Sequence, residues 1–375
     1  MSSSGSRIKI FEPIIEDEDI EAVVRVLRSG WLAHGPEVEA FEQEFAEYLG
    51  VRYAAAVSNG TVGLMLALNA LGIGSGDIVL VPDYTFIASA TSVLMVGGRP
   101  KLVDVETETF NMDVEDLLSK IDNKVKAIMV VHLFGHPADM KILKEIAEDR
   151  KLILIEDAAQ AHGSEAYGKK VGSFGDAAVF SFYATKNMTT GEGGIVVSDS
   201  KEIIEKVKLL RNHGQIARYV HAELGGNYRM TSIQAALGRV QLKKLDKLNS
   251  IRRSIAYKYN EMLKNLNMVT IPVEKPWAKH VYHIYALKFG DPICRDSVYS
   301  CLISKGIEAG IHYPLPIHKQ PLFKALGYEE CCNNASYLSS VELSIPIHPG
   351  LKDEDIKTII DALKECIEIN CNRLV

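Results

Sequence analysis

Leu152-Ile-Leu-Ile-Glu-Asp157-Ala-Ala159-Gln160-Ala-His162-Gly-Ser164 and, further along, Ala177-Ala-Val-Phe-Ser181-Phe-Tyr-Ala-Thr-Lys186-Asn187 are the stretches on which the fold turns. In each, a short apolar run stops abruptly at polar residues. The apolar residues are successive rather than alternating, as in strands covered on both faces of a largely parallel sheet. Similar runs recur at 54–58, 78–81, 101–105, 127–131 and 195–198, and the segments 62–71, 114–121 and 139–150 between them have helical periodicity. The alternation predicts an α/β architecture, a mostly parallel sheet held between helices. Ligands of such sheets gather at the carboxyl ends of the strands, where Ser58-Asn-Gly-Thr61, Asp157 and Ser181 fall.

Asp157 and Lys186 stand 29 residues apart (186 − 157), one after each of two successive strands. An Asp and a Lys so delivered suit pyridoxal phosphate (PLP): the amine can form a Schiff base with its aldehyde, and the carboxylate can hold its pyridine nitrogen protonated. A buried carboxylate is costly without a cationic partner, which makes the Asp157 role a physically forced one. Lys186 would also be the general acid/base that moves a proton between substrate and cofactor. Asn59-Gly60-Thr61 precedes a predicted helix, and amides at a helix N-terminus, with Gly permitting close approach, make a phosphate site.

Further segments join these in one order: Ser29-Gly-Trp31-Leu-Ala-His34-Gly-Pro36, Val57-Ser-Asn-Gly60-Thr61, Pro82-Asp-Tyr-Thr-Phe86-Ile-Ala88, Val131-His-Leu-Phe-Gly-His136, Gly191-Glu192-Gly-Gly194, Gly226-Asn227-Tyr-Arg229-Met230 and Ile311-His312-Tyr313-Pro314. Together, from about Phe11 to about Leu363, the chain resembles the DegT/DnrJ/EryC1/StrS family of PLP-dependent nucleotide-sugar aminotransferases. The resemblance implies a fold-type-I enzyme, a homodimer with shared active sites, and amine transfer from L-glutamate to a nucleotide-linked keto-deoxy sugar. It implies that Gly60, Thr61 and Ser181 hold the cofactor phosphate, Phe86 stacks on the ring, Ala159 packs on its other face and Gln160 bonds its phenolic oxygen. Asn227 would cross to the partner's cofactor phosphate, and Trp31, His34, Arg229, His312 and Tyr313 would meet substrate. Some relatives carry His in place of the Lys and dehydrate; Lys186 favours transamination. Val62 and Glu192 resemble the C4-amine, perosamine-type branch, whereas C3 members often carry Asp at those positions. A C3-aminotransferase is the rival within the family, and a catalytically silent PLP-binding regulator or a cofactor-free scaffold the rivals outside it.

A net charge of −6 over 375 residues excludes a general nucleic-acid binder, which needs a basic face. No apolar run reaches the length of a membrane span and the Met1-Ser-Ser-Ser-Gly-Ser6 start has no apolar signal core, so the cytoplasm is expected. All six cysteines lie between Cys294 and Cys371 with no CxxC pair, which predicts free thiols and no metal site, with Cys331-Cys332 on a loop. His132, His162 and His318 are expected to be packing or supporting residues. A long Pro-free helical stretch from 231 to about 266 divides a large domain, 1–250, from a small one, 251–375, which opens with a strand over 281–289 and helices over 295–305 and about 353–369.

Overall fold

The computed structural model describes residues 7–371; the polar start, 1–6, lies outside them. All seven predicted strands form, as β1 (Tyr53–Val57), β2 (Ile78–Pro82), β3 (Arg99–Val103), β4 (Val125–Val131), β5 (Ile153–Asp157), β6 (Ala177–Ser181) and β7 (Gly194–Ser198). They make one sheet in the order β1-β7-β6-β5-β4-β2-β3. β2 pairs in parallel with β3 and β4, β4 with β5, and β5 with β6, while β7 runs against both β1 and β6. The carboxyl ends of β1, β5 and β6 therefore share one edge of the sheet.

Burial on both faces explains the unbroken apolar runs. Along the strands, Val57, Val79, Met129, Ile155, Val179 and Val196 face one core, with Leu64, Leu68 and Val93 packed on them. Their neighbours Ala56, Ala178, Phe180 and Val197 face another, against Phe41 and Phe45 of the helix Pro36–Leu49. Ile128, Val130 and Leu154 meet Leu143 and Ala147 of the helix Met140–Arg150. Helix α1 (Gly60–Ala70) starts where Asn59 Oδ1 accepts from the Val62 amide at 2.9 Å, satisfying one of the helix's free N–H groups.

The long helix α2 (Ser232–Leu263) opens with a capping box between Thr231 and Gln234 and runs through position 250 without a break. Beyond it, β8 (Val269–Thr270), β9 (Tyr285–Phe289) and β10 (Glu342–Ile345) form an antiparallel sheet with β9 in the middle. Helices α3 (Pro292–Ser304), α4 (Asn333–Val341) and α5 (Asp353–Cys371) complete this region. Its core gathers Tyr259, Leu287, Val298, Leu302, Leu343, Ile359 and Leu363. Ile8 bridges to Ile307, so the beginning of the chain packs onto its last third. The predicted strand over 281–289 starts only at Tyr285, because Tyr282 has φ +45° and breaks the extended run. The helices Asp17–Ser29, Ala88–Met95 and Lys201–Leu210 were not assigned from sequence.

The expectation of six free thiols is corrected. Cys294 is bonded to Cys371 and Cys301 to Cys366, with Cα separations of 5.1 and 5.8 Å, well inside the reach of a disulfide. The spacing conceals this: both bridges join α3 to α5 across 77 and 65 residues. Cys331 and Cys332 alone among the six remain free, just ahead of α4.

Candidate active site

At the shared strand edge lies a cavity of about 890 Å³ whose wall includes Gly60, Thr61, Phe86, Asp157, Ala159, Gln160, Ser181, Lys186, His312 and Tyr313. Ten residues singled out from sequence thus meet in one space, drawn from the start of α1, the ends of β5 and β6 with the loops that follow them, the loop after β2 and the segment between α3 and α4.

Asp157 ends β5 almost wholly buried. Its Oδ2 accepts from Ser89 Oγ at 2.7 Å and its Oδ1 from the Ala159 amide at 3.2 Å. Burial pushes its carboxyl pKa upward, opposed by Ser89, the Ala159 amide and the charge of Lys186. Lys186 Nζ, half-buried five residues beyond β6, makes no hydrogen bond among the described residues. Burial lowers its pKa to about 8, against the pull of Asp157. Its amine is therefore close to losing its proton under ordinary conditions, which nucleophilic and acid/base work requires.

Gly60 and Ser181 are pressed together. A Cβ on Gly60 would stand 2.8 Å from Ser181 Cβ, so only glycine lets the start of α1 approach the end of β6. The start of α1, Thr61 and Ser181 border the same cavity, where a phosphate would find backbone amides and two hydroxyls as donors. The donor set fits PLP: a cradle for the phosphate, a buried carboxylate for the pyridinium and an unbonded amine for the aldehyde.

Gln160 is more committed than expected. Its Oε1 accepts from the Phe134 amide at 2.8 Å and its Nε2 donates to Tyr313 Oη at 2.9 Å, leaving one N–H free. Tyr313 is fixed in turn by Tyr84, whose hydroxyl accepts from the Tyr313 amide and donates to the His312 carbonyl. Burial, with a contribution from Lys186, lowers the pKa of His312 to about 4, so the ring is neutral at physiological pH; its Nδ1 meets Ser344 Oγ at 2.9 Å. Phe86 is 54 % exposed and its ring centroid lies 6.0 Å from that of Tyr313.

Four singled-out residues do not line this cavity in their own chain. Trp31 is exposed and donates through Nε1 to the His34 carbonyl. His34 and Arg229 line a separate pocket of about 340 Å³ with Lys208 and Arg211, and Arg229 Nη1 donates to Asn212. Asn227 bridges to Asn212. His132 pairs with buried Glu156, His162 packs on Phe180 and Phe182, and His318 pairs with Asp83; none lines the cavity. Sequence reasoning missed Ser89, Tyr183, His283 and Phe11. A serine behind the Pro82-to-Ala88 segment, one helical turn past Phe86, was the available signal for Ser89.

The family model for the DegT/DnrJ/EryC1/StrS aminotransferases matches residues 13–364. The GDP-perosamine synthase of Vibrio cholerae is 37% identical over 362 residues, covering 95% of this chain and 98% of that protein. The dTDP-3-amino-3,4,6-trideoxy-alpha-D-glucose transaminase of Streptomyces venezuelae is 38% identical over 349 residues, covering 92% of this chain and 91% of that protein. A crystal structure of S. venezuelae DesV in complex with a ketimine intermediate is 36% identical and superposes with a TM-score of 0.93 over 97% of this chain and 99% of that one. With the fold, the strand-edge cavity and this agreement over almost its full length, the chain belongs to the DegT/DnrJ/EryC1/StrS aminotransferase family, and its enzyme class is that of the PLP-dependent sugar transaminases.

Proposed function

We propose that this enzyme binds PLP at the strand edge and moves an amino group from L-glutamate to C4 of a nucleotide-linked 4-keto-6-deoxy sugar. The observation that carries the reading is the meeting of Asp157, Lys186 and the Gly60–Thr61–Ser181 cradle in one cavity. When bound, PLP supplies an electron-withdrawing ring that lets a proton leave the carbon bearing the amine. Asp157 holds the ring nitrogen protonated, Ser89 and the Ala159 amide orient that carboxylate, and Phe86 and Ala159 set the plane of the ring. Lys186 Nζ carries the proton off one carbon and onto the other. Tyr313 and His312, held by Tyr84 and Ser344, narrow the space around the sugar.

Val62 and Glu192, the two positions on which the C4 reading rests, both line the cavity. The Vibrio relative is a perosamine synthase and the Streptomyces one makes a 3-amino sugar, so both regiochemistries occur at similar identity. Asn227, Trp31, His34 and Arg229 stand off their own chain's cavity, which supports their serving the cavity of a second copy in a homodimer. Among the described residues no helix is long and apolar enough to cross a membrane.

Incubation of the PLP-loaded enzyme with glutamate and a panel of nucleotide 4-keto and 3-keto sugars, with products placed by proton–carbon NMR, tests the reading. Nitrogen at C4 is expected. Turnover of 3-keto sugars alone would overturn the regiochemistry, and no turnover of any keto sugar would overturn the substrate class.

A further inference from the structure

Asp83, immediately after β2, is fully buried and devotes its carboxylate to one residue. Its Oδ1 accepts from the His318 amide at 2.8 Å and its Oδ2 pairs with His318 Nδ1. The Asp83 carbonyl also accepts from the Ile317 amide at 2.9 Å, so the imidazole is fixed in both position and tilt. The other ring nitrogen, Nε2, faces Glu330 Oε1 and Ser336 Oγ, each at 3.5 Å. Cys331 completes the group: one ligand-type atom from each of Asp83, His318 and Cys331 lies within 4.8 Å of the others. Cys331 is exposed, and the sulfur of buried Cys332 stands 2.8 Å from its own. Lys120 Nζ approaches Cys332 Sγ at 3.8 Å, and Lys319 Nζ meets Glu330 at 3.0 Å. None of these residues lines the amine-transfer cavity.

A carboxylate that orients an imidazole, an accessible thiol against that imidazole and a second thiol beside the first make an arrangement with no part in the amine transfer. We propose that Cys331 is a nucleophilic thiol positioned by the Asp83–His318 dyad, and that Cys331 and Cys332 together are an oxidation site for hydroperoxides. The Cys331 thiolate attacks the terminal oxygen of the hydroperoxide. The S–O bond forms, the O–O bond breaks, and the alkoxide or hydroxide that leaves takes a proton from His318 to become alcohol or water. The sulfur is oxidised by two electrons to a sulfenic acid and the peroxide is reduced. Cys332 then attacks Cys331 Sγ; the S–S bond forms, the S–O bond breaks, and hydroxide leaves as water with the Cys332 proton.

The electrostatics agree with this geometry. Hydrogen bonding from Cys332 and then from His318 holds the Cys331 thiol down to about 6, against burial and the charge of Asp83. Burial works against the His318 imidazolium, but its hydrogen bonds to Asp83 and Cys331 raise its pKa to about 10. The charged groups facing the thiol are therefore His318, Asp83 and Glu330, with Lys319 and Lys120 behind them.

The test uses the full-length, PLP-loaded enzyme. Alkylation of Cys331 by iodoacetamide, followed by peptide mass spectrometry across a pH series, should show its half-rise near 6. An ordinary thiol rises near about 8.5. His318→Gln should move the half-rise toward that ordinary range and slow alkylation at pH 6 by about tenfold or more. Hydrogen peroxide should leave the peptide that carries both cysteines lighter by about 2 Da, the loss of two hydrogens in a disulfide. Cys332→Ser, a variant independent of the dyad, should stop at a sulfenic acid on Cys331 that dimedone captures. An ordinary alkylation profile in the wild type, or a peptide that stays reduced under peroxide with no dimedone adduct in Cys332→Ser, overturns the proposal.

Discussion

Ser89 Oγ donates a 2.7 Å hydrogen bond to Asp157 Oδ2 inside the protein, joining the helix that follows the Phe86 loop to the end of β5. Of the groups that stabilise the Asp157 carboxylate against its burial, Ser89 makes the largest contribution. Replacing Ser89 with alanine removes a hydrogen bond to a charged group, worth about 1.5–3 kcal/mol. Ser89→Ala should therefore lower kcat/KM by roughly tenfold or more with little change in the folded far-UV spectrum. Unchanged steady-state kinetics would show that the Ala159 amide alone suffices.

Lys186 supplies both covalent attachment and the proton carrier in the proposed reaction. Lys186→Ala should lower transamination by at least about 10²–10⁴-fold, the range associated with general acid/base groups. Borohydride reduction of the holoenzyme should fix the cofactor on the peptide containing Lys186 in the wild type and on no peptide in the variant. Cofactor fixed on another lysine would move the assignment elsewhere.

The lowered pKa of Lys186 has a measurable sign. In the folded apoprotein the amine loses its proton near 8, whereas in the unfolded chain it keeps it to about 10.4. Between these values the unfolded state binds more protons, so the burial penalty is fully present below about 8 and is relieved as pH rises through this window. Amine-selective labelling of the apoprotein should modify Lys186 with a half-rise near 8, ahead of the surface lysines. Labelling in step with those lysines would contradict the burial argument.

Gly60 allows the contact between α1 and β6. A methyl group there would meet Ser181 Cβ at 2.8 Å, and relief by backbone movement should cost about 1–3 kcal/mol. Gly60→Ala is expected to lower the melting temperature and to weaken PLP binding, read by equilibrium dialysis. A variant that binds PLP as tightly as the wild type would exclude this edge as the phosphate cradle.

The bridges between α3 and α5 close long loops, which is where a crosslink most restricts the unfolded chain. Cys301→Ala combined with Cys366→Ala should destabilise the enzyme by about 2–4 kcal/mol in denaturant titration. Equal midpoints for this variant and the oxidised wild type would show that helix packing alone holds the pair.

By itself the sequence determined the seven strands and their burial on both faces, because residues covered on both sides of a sheet must be apolar in succession; in the structure Val179 and Val196 face one core while Ala178 and Val197 face the other. It also placed Asp157, Ser181 and Gly60–Thr61 at or just past strand ends, where the structure has them around one cavity with Lys186, because strand ends are where local chain order fixes the position of a side chain. Groupings between distant segments were decided only by the tertiary structure. Ser89 supports Asp157 across 68 residues, Gln160 binds Tyr313 across 153, and Asp83 reaches His318 across 235. The pairing of Cys294 with Cys371 and of Cys301 with Cys366 belongs to the same class: local spacing carries no record of which helix faces which. Such contacts arise when the cores close, and no periodicity along the chain encodes them.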